Sequence, residues 1–222
     1  MNMALIFDLD GVIIDSMPLH TEAWRVYLER LGIAWTDSDI AARMHGRRND
    51  EIVAEFIYGD LAPAEVFEHG AAKERLYREL MQSQLQQYLV PGIAEFLDRW
   101  RALPLGVASN AEPANIDLVL DGLGLRDRFQ AIVNGHQVDR PKPFPDVYLR
   151  AADPLGARPG DCVVFEDSPT GVEAGLAAGM RVVGVQTHSA DLEGVDLAIG
   201  NFQDPKLEPW LLSQVAKTNE SD

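Results

Sequence analysis

The sequence has a single cysteine, few cationic residues and no long hydrophobic run. Cys162 alone excludes an intrachain disulfide and a cysteine-cluster metal site, and its apolar neighbours indicate a buried core residue. The 222 residues include 19 Lys and Arg against 35 Asp and Glu, which gives a formal net charge of −16. This charge argues against nonspecific binding to nucleic acid or to an anionic membrane, because both would be repelled.

No apolar run is long enough to cross a membrane, and Asp8 and Asp10 interrupt the first one too early for a signal peptide. We therefore expect a soluble, cytoplasmic protein, and we expect it to be a monomer. Hydrophobic residues make up 46 % of the chain, enough for a substantial core. The length favours one large domain or two unequal ones.

Five short apolar runs alternate with helical patterns along most of the chain. Near-continuous apolar runs are typical of parallel strands that helices cover on both faces of the sheet. In such sheets, ligands bind beyond the carboxyl ends of the strands. The sequence therefore predicts a doubly wound, Rossmann-like α/β sheet. The predicted strands are 4–7, 105–108, 131–133, 162–165 and 181–185, and the predicted helices between them are 92–102, 112–123, 146–152 and 171–178.

The stretch after the first strand interrupts this alternation. It contains no convincing buried strand and is dense in helix formers, with long helical patterns at 21–31 and 71–85. The sequence therefore predicts an inserted α-helical domain at 17–87, with the sheet domain made of 1–16 and 88–222.

Acidic residues follow two of the predicted strands. Asp8, Asp10 and the permissive Gly11 come after the first strand, and Glu166 and Asp167 come after the fourth. An ordinary strand-to-loop turn would explain the first group alone. Four carboxylates meeting at one edge of a sheet repel one another, however, unless a cation compensates them. Mg²⁺ is the hard cation that best suits such oxygen ligands alongside phosphate.

Three further polar residues lie at predicted strand ends or in a rigid loop. Ser109 and Asn110 end the second strand and offer hydrogen bonds to a phosphoryl oxygen. Lys142 stands between two prolines, which fix the backbone and direct its ammonium group. A solvated loop lysine is the alternative.

Four segments in this order resemble the motifs of the haloacid dehalogenase superfamily. They are Phe-Asp-Leu-Asp-Gly-Val at 7–12, Ala-Ser-Asn at 108–110, Lys-Pro at 142–143 and Phe-Glu-Asp-Ser at 165–168. The resemblance covers nearly the whole chain and is closest to the subfamily I phosphatases and β-phosphoglucomutase-like hydrolases. The helical insert stands where that family has its cap domain.

The resemblance implies a role for each matching residue. Asp8 would be the nucleophile that forms an aspartyl-phosphate, and Asp10 would be the general acid and base. Ser109 and Lys142 would bind the transferring phosphoryl group. Magnesium would be held by Asp8, the backbone carbonyl of Asp10, and Asp167, with Glu166 beside it. Asp10 also favours phosphoryl transfer over dehalogenation, because the dehalogenases of the superfamily lack an aspartate there.

The resemblance extends to three residues of the helical insert. His20 matches a histidine that couples cap closure to the acid–base aspartate, although a surface histidine would look the same. Trp24 follows on the apolar face of the same helix, where a core role is the alternative. Lys73 resembles a cap lysine that contacts a distal phosphate, and a solvated helix lysine is its alternative.

The polar turn at 45–50 resembles the cap loop that reads the substrate in related enzymes. It contains Gly46, Arg47 and Arg48. The guanidinium groups of the two arginines suit a second phosphate or a sugar hydroxyl. Helix capping, or pairing with Glu51, is the alternative. Mutases of the family carry Gly-x-Ser-Arg here, and this chain has its arginine one position earlier.

Three hypotheses of function remain open from the sequence. The first is a Mg²⁺-dependent phosphatase that hydrolyses a small phosphate monoester, a sugar phosphate, through an aspartyl-phosphate. The second is a β-phosphoglucomutase that interconverts β-glucose 1-phosphate and glucose 6-phosphate. The third is a non-enzymatic phosphate-binding module, which Asp10 disfavours because binding alone does not need an acid–base group.

Overall fold

The computed structural model describes residues 3–44, 49–57, 59–188 and 191–220. The chain divides into two compact units. The sheet unit runs up to Asp15 and resumes at Gln86, and the helical unit is Ser16–Leu85. Within the described ranges, no helix is both long and apolar enough to cross a membrane.

The sheet unit contains six parallel strands in the order β3-β2-β1-β4-β5-β6. The strands are β1 (Ala4–Phe7), β2 (Leu105–Ser109), β3 (Ala131–Asn134), β4 (Cys162–Glu166), β5 (Arg181–Val185) and β6 (Leu197–Ile199). The helices of the chain are α1 (Met17–Arg30), α2 (Asp37–Met44), α3 (Asn49–Phe56), α4 (Pro63–Gln82), α5 (Ile93–Arg99), α6 (Pro113–Gly122), α7 (Asp146–Leu155), α8 (Pro169–Ala177) and α9 (Leu207–Glu220). The doubly wound α/β class predicted from the sequence is confirmed.

The central strands β1 and β4 are buried on both faces, as their apolar runs predict. On one face Phe7 stacks on Phe165, with ring centroids 4.7 Å apart, and on the other Ile6 and Val164 belong to a cluster of buried apolar side chains. Phe7 and Phe165 are also register partners. The chain therefore leaves both strands at the same level, and the residues that follow them meet at one edge of the sheet.

The helical unit has its own small core. Seven buried side chains from three helices and an adjoining segment form it, namely Trp24, Leu28, Ile40, Ile52, Val53, Phe56 and Ile57. Its two long helices begin earlier than predicted, α1 at Met17 rather than 21 and α4 at Pro63 rather than 71. Both starts carry a proline in the first turn, where the missing N–H costs no helical hydrogen bond.

Candidate active site

Asp8, Glu166 and Asp167 form a compact carboxylate cluster at the carboxyl ends of β1 and β4. The backbone N–H of Asp8 donates to the carbonyl of Phe165 at 3.0 Å, so the parallel pairing continues past the end of β1. One carboxylate oxygen from each of the three residues lies within 4.8 Å of the others. The structure thus brings together three of the four acidic residues for which the sequence predicts a metal site.

Lys142 lies inside this cluster. Its Nζ donates to Oδ1 of Asp8 and to Oε1 of Glu166, at 2.6 Å each, and the side chain is 4 % exposed. The alternative of a solvated loop lysine is therefore wrong. Asn110 fixes the lysine backbone, because its amide donates to the Lys142 carbonyl at 3.3 Å and accepts from the Lys142 N–H at 3.2 Å. Asn110, which the sequence predicts to bind phosphate, thus uses its side chain to hold the main chain of Lys142.

Glu166 is the most heavily hydrogen-bonded member of the cluster. Its Oε1 accepts from Lys142 and from the hydroxyl of Tyr148, both at 2.6 Å. Its Oε2 accepts from the N–H of Asp167 and from both the N–H and the hydroxyl of Ser168, at 3.0–3.1 Å. With both oxygens engaged, this carboxylate serves to hold Lys142 in place. Tyr148 did not emerge from the sequence, because it looks like an ordinary apolar-face residue of α7.

Two glycines provide the space that these carboxylates occupy. A Cβ on Gly11, whose φ is +72°, would collide with Oδ2 of Asp167. A Cβ on Gly171, in the first turn of α8, would collide with both side-chain oxygens of Glu166. Any larger residue at either position would therefore displace a carboxylate of the cluster.

The electrostatics of the cluster show an excess of negative charge. Burial, with the nearby charges of Glu166 and Asp8, raises the pKa of Asp167 to about 9. Burial also raises the pKa of Asp8, although Lys142 opposes this. Burial lowers the pKa of Lys142, but Asp8 and Glu166 outweigh it and the net pKa is raised, so the lysine stays protonated. A divalent cation would relieve the remaining repulsion.

Asp10 and Ser109 complete the group at this edge of the sheet. Asp10 is half-buried in the turn after β1, and its charge contributes to the raised pKa of both Asp8 and Asp167. Ser109 ends β2 and is buried, and its hydroxyl oxygen accepts from the N–H of Ala111 at 3.2 Å. That bond uses the oxygen of Ser109 and leaves its hydrogen to be donated elsewhere.

In the helical unit, the structure brings His20, Trp24 and Lys73 together. Nζ of Lys73 lies 2.7 Å from Nδ1 of His20, 2.8 Å from Oε1 of Glu74 and 5.3 Å from the Trp24 ring centroid. Lys73 is 2 % exposed, so the alternative of a solvated lysine is wrong. When Lys73 is the donor of this contact, Nδ1 of His20 is the acceptor.

Two more residues support this cluster. The His20 ring stacks on Tyr77 with centroids 3.8 Å apart, and Glu74 also accepts from Nδ2 of Asn49 at 2.8 Å. Glu74, which the sequence did not single out, neutralises the buried lysine.

Trp24 is buried in the core of the helical unit, which agrees with the alternative of a core role. Gly46, Arg47 and Arg48 lie outside the described residues.

Comparison with known proteins identifies the family of the chain. A family model described as haloacid dehalogenase-like hydrolase matches residues 3–179. Fructose-1-phosphate phosphatase YqaB of Escherichia coli (strain K12) is 35 % identical over 184 residues, covering 82 % of this chain and 95 % of that protein. Beta-phosphoglucomutase of Bacillus subtilis (strain 168) is 34 % identical over 212 residues, covering 92 % of each.

Among solved structures, a beta-phosphoglucomutase from Clostridium difficile superposes with a TM-score of 0.82 at 25 % identity, covering 98 % of this chain and 99 % of that one. The family match spans well over half of the chain, and the curated relatives align along nearly their full lengths. The chain therefore belongs to the haloacid dehalogenase-like hydrolases.

Proposed function

We propose that this protein is a Mg²⁺-dependent phosphatase that hydrolyses a small sugar phosphate through an aspartyl-phosphate on Asp8. The observation that carries the proposal is the buried contact between Asp8 and Lys142 beside two further carboxylates. In this proposal Asp8 is the nucleophile, Lys142 is the fixed cation, and the neighbouring carboxylates are oxygen ligands. Phosphoryl transfer needs these three parts.

The chain's own residues account for both halves of the reaction. A carboxylate oxygen of Asp8 attacks phosphorus, the bond from phosphorus to the ester oxygen breaks, and Asp10 gives its proton to the leaving alkoxide. Asp10 then takes a proton from a water that attacks the same phosphorus. The Asp8–phosphorus bond breaks, which releases inorganic phosphate and restores the Asp8 carboxylate. Lys142 and the Ser109 hydroxyl offset charge on the phosphoryl oxygens.

The carboxylate cluster suits magnesium. Its donors are all oxygen, and they lie within 4.8 Å of one another. Asp8, Asp167 and the backbone carbonyl of Asp10 would hold the ion, with Glu166 beside it. When bound, magnesium supplies charge neutralisation for the phosphoryl group.

The substrate class follows from the relatives and from the helical unit. One relative is named for fructose 1-phosphate and two for β-phosphoglucomutase, so sugar phosphates are the class to test. We propose that the helical unit is the cap domain and that Lys73 and His20 recognise the sugar. Their 2.7 Å contact, between two positions that the resemblance matches to cap residues, supports this.

β-Phosphoglucomutase is the second candidate. The alignment with the Bacillus subtilis enzyme, which covers 92 % of each protein, favours this activity. The contact between Lys73 and His20 also favours it, because both positions match residues of the family's cap. The two activities share the aspartyl-phosphate and differ in its acceptor. That acceptor is water in a phosphatase and a sugar phosphate in a mutase.

A phosphorus NMR time course separates the candidates. The protein is incubated with Mg²⁺ and either fructose 1-phosphate or β-glucose 1-phosphate, the latter with a trace of glucose 1,6-bisphosphate. Release of inorganic phosphate supports the phosphatase. Glucose 6-phosphate without inorganic phosphate establishes the mutase instead. The Asp8→Asn variant is the matched control, and phosphate release that persists in this variant would contradict the proposal.

A further inference from the structure

The turn after β5 contacts the turn after β1, although β4 lies between these strands in the sheet. The hydroxyl of Thr187 donates to the carbonyl oxygen of Gly11 at 2.6 Å. In the same turn, Nε2 of His188 lies 2.6 Å from Oδ1 of Asp15. Two side chains of one turn therefore hold both ends of the segment that follows Asp10.

Backbone hydrogen bonds hold Thr187 and its neighbour Gln186 in place. Its backbone N–H donates to the carbonyl of Val185 at 2.9 Å, and the N–H of Gln186 donates to the carbonyl of Ile199 in β6 at 2.8 Å. The turn is thus attached to the sheet through its main chain. A hydroxyl on such a support can fix the group that it contacts.

The turn after β1 needs support at the carbonyl of Gly11. Its internal hydrogen bonds run from Ile13 and Ile14 to the carbonyl of Leu9, and from Gly11 to the carbonyl of Ile14. The carbonyl of Gly11 accepts from Thr187 instead. On its other side Gly11 packs so closely against Asp167 that no Cβ would fit. Thr187 therefore orients the peptide group that comes directly after Asp10 and Gly11.

We propose that Thr187 is a positioning residue for Asp10, acting through the Gly11 carbonyl. This inference rests on the proposed function, in which Asp10 transfers the protons. Without the hydroxyl, the Gly11 carbonyl loses this hydrogen bond, and the backbone that carries the Asp10 carboxyl is held less firmly. A displacement of about 1 Å can slow a catalysed step about a hundredfold, so we expect a smaller shift to cost about tenfold.

The dependence of kcat/KM on the leaving group separates a positioning role of Thr187 from a purely structural one. A sugar alkoxide is a poor leaving group and needs the proton of Asp10, whereas p-nitrophenolate leaves readily without one. Misplacement of Asp10 should therefore lower kcat/KM for a sugar phosphate far more than for p-nitrophenyl phosphate. General loss of folded protein would lower both equally.

The test compares Thr187→Val, which removes the hydroxyl, with Thr187→Ser, which keeps it. Thr218→Val is the matched control, because Thr218 in α9 makes the same kind of bond, to the carbonyl of Gln214 at 3.1 Å. For each variant, kcat/KM is measured on p-nitrophenyl phosphate and on the sugar phosphate that the wild type hydrolyses best. Circular dichroism checks that each variant is folded.

We expect Thr187→Val to lose about tenfold on the sugar phosphate and less than about twofold on p-nitrophenyl phosphate. Thr187→Ser and Thr218→Val should stay within about twofold of wild type on both. An equal loss on the two esters, no loss, or failure of serine to rescue would overturn the role of Thr187 alone. A wild type that hydrolyses neither ester would overturn the proposed function together with it.

Discussion

Replacing Lys142 by methionine should destabilise the protein strongly, because it leaves two buried carboxylates without their cation. The lysine side chain is 4 % exposed and makes two 2.6 Å contacts, to Asp8 and to Glu166. Breaking a buried ion pair from one side costs roughly 3–5 kcal/mol. At about 2–4 °C per kcal/mol for a chain of this size, the melting temperature should fall by about 6–20 °C.

The assay is thermal unfolding by calorimetry in the presence of a chelator, so that no metal substitutes for the ammonium. The control is Arg99→Met, which breaks an ion pair to Glu208 that is also 2.6 Å long but about half exposed. An exposed pair contributes at most about 1 kcal/mol, so this variant should melt close to wild type. The contacts match in length, so the contrast reports burial together with the second carboxylate partner of Lys142.

A second substitution tests whether unpaired charge is the cause. Glu166→Gln removes one of the two carboxylates that Lys142→Met leaves unpaired and keeps an oxygen acceptor for Tyr148. The double variant should therefore be less destabilised than the sum of the two single variants, by about 1–3 kcal/mol. If Lys142→Met cost no more than Arg99→Met, or if the double variant were simply additive, the charge argument would be refuted.

Three predictions concern the reaction and its metal. Asp8→Asn should stay folded and retain less than about a hundredth of wild-type turnover, since an amide is a poor nucleophile; a tenth of the activity or more would contradict the covalent mechanism. Excess chelator should abolish phosphate release in a malachite green assay, and added Mg²⁺ should restore it, whereas full activity with chelator would refute the metal assignment. Because the folded pKa of Asp167 is raised from 3.8 to about 9, metal-free protein should lose stability as pH rises through that interval. The rise in melting temperature that Mg²⁺ produces should therefore be larger at pH 8.5 than at pH 5.5, and a rise independent of pH would contradict this electrostatic account.

The positions of the catalytic candidates were predictable because each follows a buried strand. β1 and β5 have the predicted bounds, since each is a short, mostly apolar run that ends directly before a polar residue, Asp8 or Gln186. β6 escaped prediction because it is three residues long and partly exposed, and its Leu-Ala-Ile sequence alone does not mark it as a strand. Local pattern thus placed the carboxylates at the sheet edge, while their roles stay predictions.

Long-range partners were beyond the reach of local pattern. Lys73 looks like a solvated helix residue, and it is buried because His20, from another helix, and Glu74 supply partners for its charge. Tyr148 occupies an apolar position of α7, and its function depends on Glu166, 18 residues further along the chain. Neither contact has a signal in its own neighbourhood of the sequence.

The double anchoring of Lys142 has a consequence for the reaction cycle. Under the proposed mechanism Asp8 gives up its carboxylate charge each time it is phosphorylated and regains it on hydrolysis. A lysine held by Asp8 alone would lose its only ionic partner in every turnover. Since Glu166 is not phosphorylated and is held by five hydrogen bonds, the ammonium has a constant partner while its other contact alternates between carboxylate and phosphoryl oxygen. The Lys142 ammonium therefore stays in position from one turnover to the next.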